Sequence, residues 1–116
     1  MTDKPLGSAE ELAILIARLA ETVDSRVGGD PKDSYTAKLL QKGSLHCGKK
    51  IAEEGAELAL ALAAEGRSES ASEAADLIYH MLVGLRSKGV SLNQVASALR
   101  KRQGISGLEE KASRDA

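Results

Sequence analysis

Residues 49–88 read KKIAEEGAELALALAAEGRSESASEAADLIYHMLVGLRSK, and a fold class follows from their spacing. Lys50, Glu53, Glu54 and Glu57 recur at i, i+3, i+4 and i+7, which puts them on one face of a helix. The LALALAA that follows, residues 58–64, is apolar around two whole turns, so this helix is expected to be internal and to face water on no side there. Beyond Gly66, the residues Glu69, Glu73, Asp76 and His80 stand at i, i+4, i+7 and i+11, again a single face. Ala74, Leu77, Ile78, Met81, Leu82 and Leu85 carry the apolar side of the same helix. Two helical patterns divided by one Gly corner predict an antiparallel hairpin with facing acidic stripes.

Working outward, turn residues cut the remaining chain into helical segments. Ser8 with Glu11 has the capping-box pattern and is expected to open a first helix over about 9–24, with Leu12, Leu15, Ile16, Leu19 and Val23 as its apolar stripe. Residues 25–34, SRVGGDPKDS, read as a loop. A short second helix is expected over about 35–42, stopped by Gly43 as a left-handed cap. Ser44 is expected to cap the third helix and Ser68 or Ser70 to start the fourth. Ser91 with Gln94 opens a fifth helix through about Arg102. Glu73 has a second reading, as the acidic partner of a Ser70 capping box. The expected fold is all-α, a bundle of about five helices whose core four-helix arrangement is completed by homodimerisation. The chain, 1–116, reads as a single domain: N-terminal helix and loop (1–33), helical core (34–103) and polar tail (104–116).

The chain contains 18 Ala and 16 Leu against 2 Tyr and no Phe or Trp. Such a core is thin, and an oligomer is the expected remedy. The net charge of −1 offers no basic surface for nucleic acid. It conceals an asymmetry: from Glu53 to His80 seven acids oppose one base, Arg67, so this stretch carries −6 and the remainder +5. Cys47 is the only cysteine, so an intrachain disulfide is excluded and a reducing compartment is expected. Cys47, His46 and His80 are too few ligands for structural zinc. No apolar run approaches the ~20 residues of a membrane span. A cytoplasmic protein is expected.

Two acidic faces on adjacent helices repel unless a cation lies between them. Oxygen-only ligands select a hard ion, Mg²⁺ or Mn²⁺. His80, at i+4 from Asp76, reads as an ion-pair partner or satisfied imidazole in a second shell and not as a metal ligand. The bland alternative for both stripes is a solvated helix face.

The pairing of E-E-x-x-E (Glu53 to Glu57) with E-x-x-D (Glu73 to Asp76) resembles the signature of the MazG-like, all-α nucleoside triphosphate pyrophosphohydrolases. SYTAKLL at 34–40, KKIAEEGAEL at 49–58, EAADLIYHMLV at 73–83 and SGLEEKASR at 106–114 narrow the resemblance to the phosphoribosyl-ATP pyrophosphatase family. The resemblance implies that Glu54, Glu57, Glu73 and Asp76 hold Mg²⁺, with Glu53 as the catalytic water activator or a second-metal ligand. It implies hydrolysis of phosphoribosyl-ATP to phosphoribosyl-AMP and pyrophosphate in histidine biosynthesis, by a stand-alone homodimeric or larger assembly. It gives no role to His46, Cys47 or Lys49. A polyanionic substrate also needs cations beside an acidic site. Lys50 and Lys38 are the candidates, with the Tyr35 and Thr36 hydroxyls, and Lys111, Ser113 and Arg114 in a tail expected to close over substrate as a lid. Competing expectations are a house-cleaning nucleotide pyrophosphohydrolase of the same fold and a non-catalytic helical dimerisation module.

Overall fold

A computed structural model of the chain describes residues 6–103, together with Lys111 and Arg114. Five helices follow one another: α1 (Glu10–Ser25), α2 (Tyr35–Lys42), α3 (Ser44–Ala64), α4 (Arg67–Lys88) and α5 (Leu92–Arg102). No strand occurs among the described residues. The all-α class and the hairpin are as expected, with α3 and α4 forming the most extensive helix pair and α2 packing against both.

The corners show how local chemistry sets the helix ends. Asp30 Oδ1 accepts from Lys32 N at 2.8 Å, and Ser34 then caps α2 by accepting from Ala37 N at 3.1 Å. Gly43 separates α2 from α3 with φ 92° and ψ 175°. That conformation belongs to glycine, but its extended ψ is not the left-handed cap anticipated. Gly43, not Ser44, is the N-cap of α3, because its carbonyl accepts from Cys47 N at 3.0 Å. Likewise Gly66 caps α4, which begins at Arg67. Glu69 Oε1 accepts from Gly66 N at 3.1 Å, while the Ser70 hydroxyl donates to Gly66 O at 2.9 Å. That hydroxyl is therefore turned away from any cap with Glu73, which is left for the hairpin's interior face. The Ser8–Glu11 box does not form: Ala9 is the N-cap, and Ser8 Oγ accepts from Glu10 N at 3.3 Å. At α5 both bonds of the Ser91–Gln94 box are made, at 3.2 and 2.9 Å.

Packing inside one chain is slight. The centre of the core is Val23, Leu39, Cys47 and Val83, with Leu40 and Tyr79 packed around it. Cys47 donates to Leu39 O at 3.4 Å. Helices α3 and α4 come so close near their opposite ends that a Cβ on Gly84 would lie 2.8 Å from Ile51 Cδ1. Helix α1 is tied to α4 by Arg86 Nε donating to Asp24 Oδ1 at 2.8 Å.

The LALALAA segment departs from its expectation. Only Ala61 is buried, while Leu60 and Leu62 are 62% and 69% exposed. The α1 stripe behaves similarly, with Val23 buried but Leu12 and Leu15 exposed. A helix with an apolar circumference needs neighbours on every side, and a single hairpin partner covers one.

Candidate metal centre

Helix α3 presents Glu54 and Glu57 one turn apart, and α4, running the opposite way, lays Glu73 against them. Carboxylate oxygens of these three residues all lie within 4.8 Å of one another. Around one octahedral Mg²⁺ with bonds of about 2.1 Å, ligand oxygens are separated by at most ~4.2 Å, so the trio needs little adjustment to share an ion. Glu54 Oε2 and Glu73 Oε2 are each shielded from solvent and without a hydrogen-bond partner. Two shielded carboxylate oxygens without partners, on facing helices and close together, fit a cation as the partner they lack. The donor set, oxygen without sulfur, fits a hard divalent ion.

The electrostatics point the same way. Burial pushes the Glu54 carboxyl above its ordinary value, helped by the charge of Glu57 and a hydrogen bond with it, and more weakly by Asp76; nearby His80 opposes the shift. Glu73 is raised first by a hydrogen bond with Glu57, then by burial and by the charges of Glu57, Asp76 and Glu54. Carboxylates bond to each other only through a proton, so Glu54 and Glu73 offset the repulsion by holding protons more tightly, protons that a cation would displace.

The other anticipated residues divide. Asp76 lies on the same face and adds its charge to Glu54 and Glu73, but its oxygens stand outside the 4.8 Å group. Glu53 is exposed and accepts from Lys50 Nζ at 3.1 Å, a bond that holds its carboxyl below the usual range and lifts Lys50. Lys50 thus pairs along its own helix while remaining beside Glu54. The Lys38 ammonium is exposed and makes no ion pair among the described residues. Tyr35 is half exposed near Lys50, its ring edge-on to His80 with centroids 6.3 Å apart. Lys111 and Arg114 are exposed; the tail between and around them, and with it the anticipated lid, lies outside the described residues.

His80 is buried, but its partner is the Asp76 backbone and not the Asp76 carboxylate. A carbonyl can only accept, so Nδ1 carries the proton and donates to Asp76 O at 2.9 Å. This leaves Nε2 buried and unpartnered. Tyr79 packs edge-on against the imidazole at 4.9 Å, and its hydroxyl is hydrogen-bonded to Thr36 Oγ1 at 2.6 Å. The Thr36–Tyr79 clip, which joins α2 to the site, was not anticipated. Its only signal was that both of the chain's aromatic residues fall in the two words flanking the acids.

A family model described as phosphoribosyl-ATP pyrophosphohydrolase matches residues 16–103. The chain belongs to the phosphoribosyl-ATP pyrophosphohydrolase family. Its similarity extends to a phosphoribosyl-ATP pyrophosphatase of Caulobacter vibrioides, 47% identical over 91% of this chain and 98% of the relative. Phosphoribosyl-ATP pyrophosphatase 1 of Bradyrhizobium diazoefficiens is 50% identical over 83% of this chain and 91% of that one. The bifunctional histidine-biosynthesis protein HisIE of Wolinella succinogenes is 48% identical over 86% of this chain, which there matches 44% of the relative's length. The matched span of this pyrophosphohydrolase-family chain covers the hairpin, the carboxylate trio and the Thr36–Tyr79 clip. No helix among its described residues is long and apolar enough to cross a membrane.

Proposed function

We propose that this chain hydrolyses phosphoribosyl-ATP to phosphoribosyl-AMP and pyrophosphate, a step of histidine biosynthesis, using Mg²⁺ held by Glu54, Glu57 and Glu73. The observation that carries the reading is the interhelical trio of carboxylates with two shielded, unpartnered oxygens, in a chain whose family and near relatives bear the name of that activity. When bound, the ion supplies neutralisation of the phosphate charge that grows on the departing pyrophosphate. Asp76, on the next turn of α4, would be the fourth carboxylate available to the ion.

The chain's own residues then do the rest. Glu53, kept ionised by Lys50, orients the attacking water and accepts its hydrogen bond; a lowered pKa suits it to positioning more than to strong proton abstraction. Lys50 offsets substrate charge beside Glu54. His80, fixed by the Asp76 carbonyl and walled by Tyr79, keeps its imidazole near Glu54 as part of the wall behind the carboxylates. Tyr35, at the mouth, offers its hydroxyl to the substrate. The exposed leucines of α3 and α1 are covered by a second copy of the chain, giving a homodimer or a larger homo-oligomer.

The test is pyrophosphate release from phosphoribosyl-ATP in Mg²⁺ and in excess chelator, beside dUTP, dCTP and ATP. Release from phosphoribosyl-ATP that stops on chelation is expected. Preference for an ordinary nucleotide would move the chain to a house-cleaning role, and no release from any substrate would leave only a helical dimerisation module.

A further inference from the structure

Between Ser34 and Ala52 the chain has four lysines and no acid, immediately before the −6 stretch. The fold gathers three of them, Lys42, Lys49 and Lys50, around His46. Gly43 turns α2 into α3 without a spacer, which delivers Lys42 from the last turn of α2 to the first turns of α3, where His46, Lys49 and Lys50 stand at i, i+3 and i+4. His46 is the hub. Its imidazole is partly shielded, and burial together with the ammoniums of Lys42, Lys49 and Lys50 lowers its pKa, with Glu53 alone opposing. Lys50 is bonded to Glu53. Lys42 and Lys49 have no ion-pair partner among the described residues.

Gathered like charges are unfavourable, and the start of α3, where the helix dipole favours acids, holds no acid to offset them. Repulsion kept in place at the edge of a candidate active site marks a position where an opposite charge arrives. Along α3, His46 to Lys50 lies about 6–12 Å from Glu54 at 1.5 Å per residue, within the reach of a nucleotide whose other phosphates rest on the carboxylate centre.

We infer that Lys42, His46 and Lys49 form a phosphate-binding subsite, separate from the carboxylate centre, that takes a second phosphate group of the anionic substrate. The inference rests on the proposed nucleotide reading but concerns residues to which that reading gives no role. The subsite acts through charge and hydrogen-bond donation. It steers the polyanion past the acidic hairpin and fixes which phosphate reaches the metal.

Two measurements test it. Calorimetric titration in EDTA with tripolyphosphate and, separately, with ribose 5-phosphate reads the subsite without metal and without turnover, and shows whether it holds the polyphosphate or the sugar-phosphate end. The Lys42→Ala/Lys49→Ala double variant is expected to lose tenfold or more in affinity for the preferred anion. Arg67→Ala, at the other end of the hairpin, is expected to lose less than twofold. In steady-state hydrolysis with Mg²⁺, the double variant is expected to raise KM tenfold or more, to leave kcat within about twofold, and to show a shallower dependence of kcat/KM on salt. Anion binding by the double variant equal to wild type, an equal loss in Arg67→Ala, or no binding of either anion by wild type overturns the subsite. Failure of the proposed reaction appears separately, as a wild-type protein that binds the anions but releases no pyrophosphate.

Discussion

Glu54 is held in a conflict that a proton or a cation relieves: one oxygen is shielded and unpartnered, Glu57 and Glu73 crowd it, and burial raises its pKa. Substituting Glu54→Gln should therefore separate function from stability. Pyrophosphate release is expected to fall by about 10²-fold or more, the scale of losing one preorganised electrostatic contact, while the metal-free variant melts at or above the wild-type temperature. A variant that keeps most of its activity would remove Glu54 from the site. The pH dependence has a definite sign. Glu54 and Glu73 bind protons more tightly folded than unfolded, so between the ordinary glutamate value and their raised folded values the native state holds the extra protons. Stability of the metal-free protein due to these groups is fullest at low pH and is lost as pH rises through that window. Glu53, whose carboxyl is lowered by Lys50, pulls the opposite way, so the informative quantity is the difference in melting temperature between Glu54→Gln and wild type in EDTA. That difference should grow from pH 4 to pH 7 and shrink on adding Mg²⁺; a difference independent of both would contradict the assignment. The acids were legible from spacing alone, since i, i+3 and i+4 admit one helical face. Which of them converge was not, because Asp76 and Glu73 share that face and only the crossing of α3 and α4 favours Glu73.

At the scale of the elements, the helix ends test how far local chemistry carries. Ser91 and Gln94 formed the box their spacing announced, and Ser91→Ala is expected to cost about 1 kcal/mol in urea unfolding. Ser8 carries the same signal but made no box, because α1 begins after Ala9 and has little tertiary contact to fix its first turn. Ser44 lost the cap of α3 to Gly43, whose φ of 92° and ψ of 175° let two helices meet at one residue. Gly43→Ala should destabilise the protein by about 1–3 kcal/mol, the cost of a side chain in that backbone region. Gly48→Ala, inside α3 with open space around it, should instead gain up to ~1 kcal/mol from helix propensity. Equal effects in chemical unfolding would mean that the corner is not what positions α2 against the hairpin. Gly43 was readable as a helix stop; its second duty, carrying Lys42 onto α3, depends on a ψ angle that spacing does not encode.

For the whole molecule, the apolar sequence and the single-chain packing disagree, and the proposed homodimer would remove the disagreement. LALALAA was read as internal from its composition, yet Leu60 and Leu62 are 62% and 69% exposed, and Leu12, Ile14 and Leu15 lie near half exposure. An apolar circumference calls for neighbours on every side, and in the proposed homodimer a second copy would supply those that one chain does not. Burying a leucine is worth about 1.5–3 kcal/mol, so covering Leu60 and Leu62 with a second copy would add appreciably to a core with few buried side chains. Helix α5, with its exposed Leu99 and little contact to the rest of the fold, is free to join the same assembly. Sedimentation equilibrium at tens of micromolar protein should give at least twice the chain's 12.2 kDa. The Leu60→Glu/Leu62→Glu variant should shift toward monomer and unfold at lower temperature, with a midpoint that no longer rises with protein concentration. The acidic trio lies within one hairpin, so a variant that stays helical as a monomer should still bind Mn²⁺ at that centre. A wild-type protein that sediments as a single chain, with a concentration-independent melting temperature, would return these leucines to ordinary surface and leave the thin core to account for stability alone.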